Sequence, residues 1–381
     1  MDHPQRTAAL PMTRVHVYRS LVMALCLLSA GCKRTQETQV SAITAVSAPA
    51  PAQPPKPTNP ALARGSELYT KMCAVCHGEH GEGYKADNAP ALNQQDLLAA
   101  ADDGFLGYTI ADGRPGTTMS AWSMARGGPL ADGDIRALIA LIRSWQTVPM
   151  VKLDEGPVVG DAQRGKQLFE RACERCHADA GPHVRVKSHE FLANASTGFL
   201  RHALRVGRAP GRMPSFQSEL GNEGMEDVVA YLRSLPTWST PEAPASAQRP
   251  PPLPLGPVPL NPKGPLPNHF NKYPQMTGVD TVHAELERGA RMALLDARAP
   301  SDYMTGHITG AVSVPFYDPS PYLAALPKDA WLVCYCGCPH AESGVLAEQL
   351  LKAGFEHVTV LDEGLGVWVA RGHEVSAGTD P

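Results

Sequence analysis

A chain of 381 residues with 36 prolines and 34 glycines has room for two or three domains and spends part of its length on linkers. Aromatic residues are only 6%, thin for that many cores, which points to small domains or to a bound group that supplies apolar bulk. A formal net charge of −4 excludes the strongly basic face that nucleic-acid binding calls for, and 19% charged residues argue against a highly charged disordered protein.

The N-terminus carries Arg6, Arg14 and Arg19 ahead of an apolar run from Leu21 to Ala30. That run is too short to span a bilayer and reads as a secretory signal over residues 1–31. Leu28-Ser-Ala-Gly-Cys32 resembles a bacterial lipobox, which implies a lipid on the Cys32 thiol, although Ser29 stands where such motifs most often have Leu. The alternatives are a plain cleaved signal or a short uncleaved anchor, with Cys32 incidental. In every case the rest of the chain is expected outside the cytoplasm, in a bacterial envelope on the periplasmic side, where thiols can be oxidised. With Cys32 lipidated, the chain is held on a membrane. Residues 32–60, with six prolines and many alanines, are expected to form an extended tether.

Cys73-Ala-Val-Cys76-His77 and Cys173-Glu-Arg-Cys176-His177 then repeat one pattern 100 residues apart. Upstream, Gly65 and Tyr69 correspond to Gly165 and Phe169, so the two segments read as an internal duplication. CxxCH is the attachment pattern of c-type haem: two thiols add to the porphyrin vinyl groups and the adjacent histidine falls under the iron. A redox CxxC or half of a zinc site is the competing reading of one copy. Two exported copies, each after a helical Gly-x₃-aromatic-x₃-Cys, favour haem.

Met119, in Gly116-Thr-Thr-Met119-Ser-Ala-Trp122, lies 42 residues after His77. Met213, in Gly211-Arg-Met213-Pro-Ser-Phe216, lies 36 after His177. Both segments resemble the methionine loop of small class I cytochromes c, which implies a thioether on the iron opposite each histidine and a raised potential. Met124 and Met225 are the competing sulfurs, and His80, His183, His189 and His202 are expected at the surface. Each unit, 61–148 and 158–236, closes with an amphipathic helix. One carries Ile135, Leu138, Ile139, Ile142 and Trp145 on a stripe with Asp132 as candidate N-cap; the other carries Met225, Val228, Val229, Leu232 and Leu235. The resemblance implies that these helices cross the first helix at Gly65 and Gly165. It also implies that Pro90 offers its carbonyl to His77, with no equivalent assigned around Gly181-Pro182.

From Pro236 to Pro274 there are 13 prolines in 39 residues, which predicts a semi-rigid spacer over 237–274. Residues 275–377 alternate strand and helix signals: Met292–Asp296, Trp331–Tyr335 and His357–Leu361 as strands, Gly344–Lys352 as helix. A parallel α/β sheet follows. Leu295-Asp-Ala-Arg298, Gly306-His-Ile-Thr-Gly-Ala311 and Gly364-x₃-Trp368-x₃-Gly372 resemble the rhodanese family over about 100 residues in the family's order. That resemblance implies sulfane sulfur carried on Cys336, in a loop between a strand and a helix N-terminus, with Cys338 as a resolving thiol. The loop departs from the family in having no arginine or lysine from 336 to 351, which disfavours thiosulfate and favours a neutral or protein-bound persulfide. A binding module without turnover, or a soft-metal site from Cys334, Cys336, Cys338 and His340, are the alternatives; Cys334, in mid-strand, reads as core.

The sequence therefore predicts two small all-α cytochrome c domains and an α/β rhodanese-like domain. It predicts two covalently attached haem c groups, redox partners in a respiratory chain, a persulfide or reduced-sulfur donor, and no nucleic acid. Net charges of −3, +2 and −7 for the three units suggest docking of the third on the second.

Overall fold

The computed structural model describes residues 59–86, 88–114, 116–178, 183–208, 213–236, 254–337 and 340–381. The signal, the tether up to residue 58 with Cys32, Gly181-Pro182 and Cys338 lie outside the described residues, whereas Asn59 and Pro60, expected to end the tether, already cap and open the first helix. No helix among those described is long and apolar enough to cross a membrane.

The first unit contains α1 (Pro60–Met72), α2 (Ala74–His77), α3 (Gln95–Ala100), α4 (Asp103–Asp112) and α5 (Asp132–Ser144). Asn59 caps α1 by accepting from the Ala61 N–H. Asp132 is the first residue of α5 rather than its cap; inside the first turn its charge still faces the positive helix end. Helices α1 and α5 cross at Gly65, where an added Cβ would stand 2.2 Å from the Ala137 carbonyl oxygen. No side chain fits there, so the backbones themselves touch.

The second unit repeats this plan with α6 (Ala162–Ala172), α7 (Glu174–His177), α8 (His189–Asn194), α9 (Thr197–Val206) and α10 (Gln217–Ser234), the last broken at Gly221. Gly165 meets Asp227 as Gly65 meets Ala137, at 1.9 Å for a notional Cβ. Met225, Val228, Val229 and Leu232 are buried on α10, as the stripe predicts. Arg143 and Arg233 play the same part in the two units. Each guanidinium caps carbonyls at the end of the preceding short helix, Leu98 and Ala101 in the first, Leu192 and Ala195 in the second.

The third unit contains α11 (Val279–Glu287), β1 (Met292–Asp296), α12 (Pro300–Thr305), β2 (His307–Ile308), β3 (Val312–Ser313), β4 (Trp331–Tyr335), α13 (Ala341–Lys352), β5 (Val358–Val360), α14 (Gly364–Ala370) and β6 (Val375–Ser376). Its parallel sheet runs β3-β1-β4-β5, with Leu295 opposite Cys334 and Cys334 opposite Val360. All residues of β1, β4 and β5 are buried, as continuous apolar runs in a parallel sheet require.

The described half of the proline-rich segment is not a free spacer. Leu260 and Met292 exchange backbone hydrogen bonds, and the Tyr273 N–H donates to Val358. Val258 is buried, and Leu266 and Phe270 pack on the rhodanese-side core, the Phe270 ring edge-on to Trp331 at 5.4 Å. The prolines lower the number of N–H groups such a strap must satisfy, and the apolar residues between them supply the burial.

Candidate functional site: two haem clefts and a cysteine loop

In each of the first two units the opening helix ends at the first cysteine of CxxCH. A tight turn follows, in which the histidine N–H returns to that cysteine's carbonyl, 2.9 Å for His77 and 3.0 Å for His177. Both cysteines and the histidine are thereby gathered within one helical turn. His77 Nδ1 lies 2.9 Å from the Pro90 carbonyl and His177 Nδ1 2.9 Å from the Val184 carbonyl. A carbonyl only accepts, so Nδ1 carries the proton and Nε2 keeps its lone pair. Burial favours the neutral ring in both, lowering each pKa. Pro90 acts as the resemblance implied. Val184 was not foreseen, since a backbone carbonyl leaves no mark on the sequence.

The methionine loops are alike as well. The Arg114 N–H donates to the Met119 carbonyl at 3.1 Å and the Arg208 N–H to the Met213 carbonyl at 2.9 Å. The first residue past each loop is tied back to the preceding helix, Trp122 to Ile110 and Phe216 to Leu204. Met119 and Met213 are half-buried against the core, whereas Met225 is buried within α10. His80 is exposed, as expected, but His183, His189 and His202 are half-buried.

These residues fit a porphyrin in two further respects. Burial pushes the Cys73 thiol up to about 12 and the Cys173 thiol up to about 11, a penalty that a thioether, having no proton to lose, does not carry. Arg114 and Arg208 are half-buried cations. Burial, reinforced for Arg114 by Arg208, lowers each guanidinium to about 10. Neither makes an ion pair with a carboxylate among the described residues. Buried positive charge calls for an anion, and haem propionates are the anions a haem cleft brings. The guanidiniums stand over aromatic faces, Arg114 over Phe191 of the other unit at 6.0 Å and Arg208 over Phe199 at 5.0 Å. Phe105 of the first unit and Phe199 of the second pack at 4.6 Å, so the two units share one aromatic seam. The signal for these arginines was present: Gly113-Arg114 and Gly207-Arg208 each begin six residues before the loop methionine.

In the third unit Cys336 follows β4 directly and is 1% exposed, its Sγ 3.3 Å from the Ser343 Oγ in the first turn of α13. Although the loop has no basic residue of its own, the fold brings one in. Arg298 reaches the cavity beside the loop, together with Asp302 and Glu342. Its charge is already committed: Nε and Nη2 donate to the Asp296 carboxylate at 2.9 and 2.6 Å. Burial works against the Arg298 charge and Asp296 more than offsets it, so the guanidinium stays ionised. Glu342 is pushed well above the ordinary carboxylate range by burial and then by its neighbours, and Asp302 is raised by burial. Cys334 is fully buried in β4 and reads as core. Its thiol is raised by burial. His340 lies 3.1 Å from Asp362, and no metal-holding cluster of three occurs among the described residues.

The third unit rests on the first, not on the second as the net charges suggested. The Ser120 Oγ donates to Asp302 at 2.8 Å and the Ser301 Oγ to the Ala121 carbonyl at 2.7 Å; the Trp122 and Tyr317 rings lie 5.6 Å apart. Hydrogen bonds and ring packing at contact outweigh the repulsion of two net negative surfaces, which water and salt screen.

Comparison with known proteins agrees with this division. Family models match residues 62–146 (cytochrome c), 160–232 (cytochrome c oxidase, cbb3-type, subunit III) and 279–371 (rhodanese-like domain). The chain joins two cytochrome c domains to a rhodanese-like domain. Two cytochrome c domains imply two covalently bound haem c groups. Over 188 residues the chain is 29% identical to the cbb3-type cytochrome c oxidase subunit FixP of Bradyrhizobium diazoefficiens, covering 46% of this chain and 61% of that protein. Over 184 residues it is 25% identical to the cytochrome bc1 complex cytochrome c subunit of Mycobacterium tuberculosis, covering 45% and 62%. The chain thus spans about three fifths of these relatives. A solved rhodanese-like domain from Anabaena sp. is 31% identical, covering 27% of this chain and 78% of that one, with a TM-score of 0.25.

Proposed function

We propose that the protein is an exported dihaem electron carrier, held on a membrane by lipid at Cys32, whose rhodanese-like domain takes sulfane sulfur on Cys336. Cys73 and Cys76 hold one porphyrin, Cys173 and Cys176 the other. His77 with Met119 and His177 with Met213 bind the two irons, and each haem c supplies a one-electron couple. The observation that carries this reading is the duplicated geometry: in both units the histidine has Nδ1 occupied and Nε2 available, and the loop methionine is fixed by a Gly-Arg turn. Likeness to oxidase and bc1 cytochrome c subunits supports respiratory redox partners. Residues 61–148, 158–236 and 275–377 are the working domains, the strap from 254 belonging with the last.

The sulfur chemistry is the second part. Joining the Cys336 thiol to hydrogen sulfide gives a persulfide and releases two protons and two electrons, and two one-electron carriers on the same chain match that count. Cys338 would resolve the persulfide. The competing reading, a rhodanese-like module that only binds a partner, is favoured by the burial of Cys336. Mixing the oxidised protein with sulfide or polysulfide and following the haem bands in wild type and Cys336→Ser decides between them. Faster haem reduction in wild type is expected; equal rates refute sulfur coupling.

A further inference from the structure

The cavity beside the Cys336 loop is not built by the rhodanese-like domain alone. Arg298, Asp302, Gly337 and Glu342 form one side, and Thr117 and Thr118, from the methionine loop of the first cytochrome domain, form the other. The approach is close: a Cβ on Gly337, the residue after Cys336, would lie 3.6 Å from the Thr118 Cγ2. Ser120 and Ser301, which fasten the two domains here, are themselves buried. The cavity volume is about 240 Å³, and the cavity is open to solvent on one side.

We propose that sulfur donors reach Cys336 through this cavity, that the Met119 loop is its second wall, and that this wall favours small, uncharged or singly charged donors, hydrogen sulfide or hydrogen disulfide, over bulky ones. Glutathione persulfide and carrier-protein persulfides would have to approach past Thr117 and Thr118, which narrow the way to the loop on this side. Doubly charged thiosulfate is disfavoured, since the Arg298 guanidinium in the lining is already paired with Asp296. This rests on the sulfur-accepting reading of Cys336 for the identity of the donor, but not for the wall.

The test uses the full haem-loaded chain carrying Cys338→Ser, so that labelling within the loop reports Cys336 alone. Ser301→Glu adds a second acidic residue beside Asp302 in the first turn of α12, where it suits the helix, but sets a carboxylate against the Ala121 carbonyl and opens the seam. Cys336 is labelled with iodoacetamide or with a bulky biotin-maleimide, and its peptide is followed by mass spectrometry. The expected result is that Ser301→Glu speeds the bulky reagent by roughly tenfold or more while changing iodoacetamide far less. Equal bulky labelling with and without Ser301→Glu overturns the wall. Hydrogen disulfide and glutathione persulfide, whose S–S bonds break on giving the outer sulfur to the Cys336 thiol and which leave as hydrogen sulfide and glutathione, are then compared by the gain of one sulfur atom. Loading by hydrogen disulfide alone upholds the donor class, and equal loading by both overturns it. If neither loads Cys336 while the size filter persists, the wall stands and the sulfur-accepting function fails.

Discussion

The crossing of α1 and α5 at Gly65 makes a sharp prediction, because an alanine there normally helps a helix. Ala has about 1 kcal/mol better helix propensity than Gly. At Gly65, however, the new Cβ would lie 2.2 Å from the Ala137 carbonyl oxygen, where 3.0 Å is the practical minimum. The obstacle is backbone and cannot rotate away, so the helices must part by most of an ångström. Leu68, Tyr69 and Met72 then lose contact with Ile135, Leu138 and Ile142, which pack in the same core. A gap of roughly 0.5–1 Å forfeits about a quarter to a half of each contact energy. Backbone-displacing overpacking costs about 1–3 kcal/mol, so Gly65→Ala should destabilise the first domain by up to about 2 kcal/mol net of the propensity gain. For a domain of this size that lowers the melting temperature by up to roughly 15 °C. Gly133→Ala, on α5 with its nearest neighbour the tip of Arg136 at 3.8 Å, should be neutral or mildly stabilising. Because a three-domain chain does not melt as one unit, amide hydrogen exchange in α1 and α5 is the assay, with thermal circular dichroism beside it. Protection in Gly65→Ala equal to wild type, or equal loss in Gly133→Ala, would refute the crossing.

Three further outcomes follow from the same geometry. Replacing Cys173 and Cys176 by alanine should halve the pyridine haemochrome yield per protein, leaving one haem; an unchanged yield would contradict the duplicated attachment. Met213→His should lower the potential of one haem on the order of 100 mV while sparing the other, since exchanging thioether for imidazole stabilises the ferric state; redox titration followed in the visible bands reads this. Asp227 accepts from Arg164 at 2.8 and 3.0 Å and from the Asp161 N–H at 2.6 Å, and Arg164 first, then that N–H, hold its carboxylate below the ordinary range. A depressed folded-state pKa adds stability above the unfolded value, lost as pH falls through the folded one. Asp227→Asn should therefore lower the melting temperature of the second domain at neutral pH, and the gap to wild type should close as the pH drops below about 4; a gap that persists in acid would assign the loss to packing instead.

Much of the chain was legible because its chemistry is local. CxxCH needs two thiols and an imidazole within one turn, and the Gly-x₃-aromatic spacing before it repeats the helix period, so Cys73 to His77 and Cys173 to His177 could be read without a fold. The buried strands of the parallel sheet were equally plain, since apolar runs such as Trp331–Tyr335 admit few other uses. What stayed hidden depends on parts of the chain that are distant from one another. Val184 holds His177 through a carbonyl that every residue possesses. Arg298 reaches the cavity beside Cys336 from the turn after β1, the strand paired with β4, so a loop without basic residues nonetheless faces a guanidinium. The proline-rich strap from 254 to 274 looked like a spacer because composition reports what a segment lacks, not the edge it lies along.

The sequence by itself determined the three domains and the two haem c groups, and singled out Cys336 as a candidate, because each is written in short spacings that fix local geometry. Only the tertiary structure decided which haem domain meets that cysteine. Net charge pointed to the second; the Ser120–Asp302 and Ser301–Ala121 hydrogen bonds set the Met119 loop of the first against it. Contacts of this kind form between residues some 180 positions apart, and no periodicity or composition along the chain records which distant surfaces will fit.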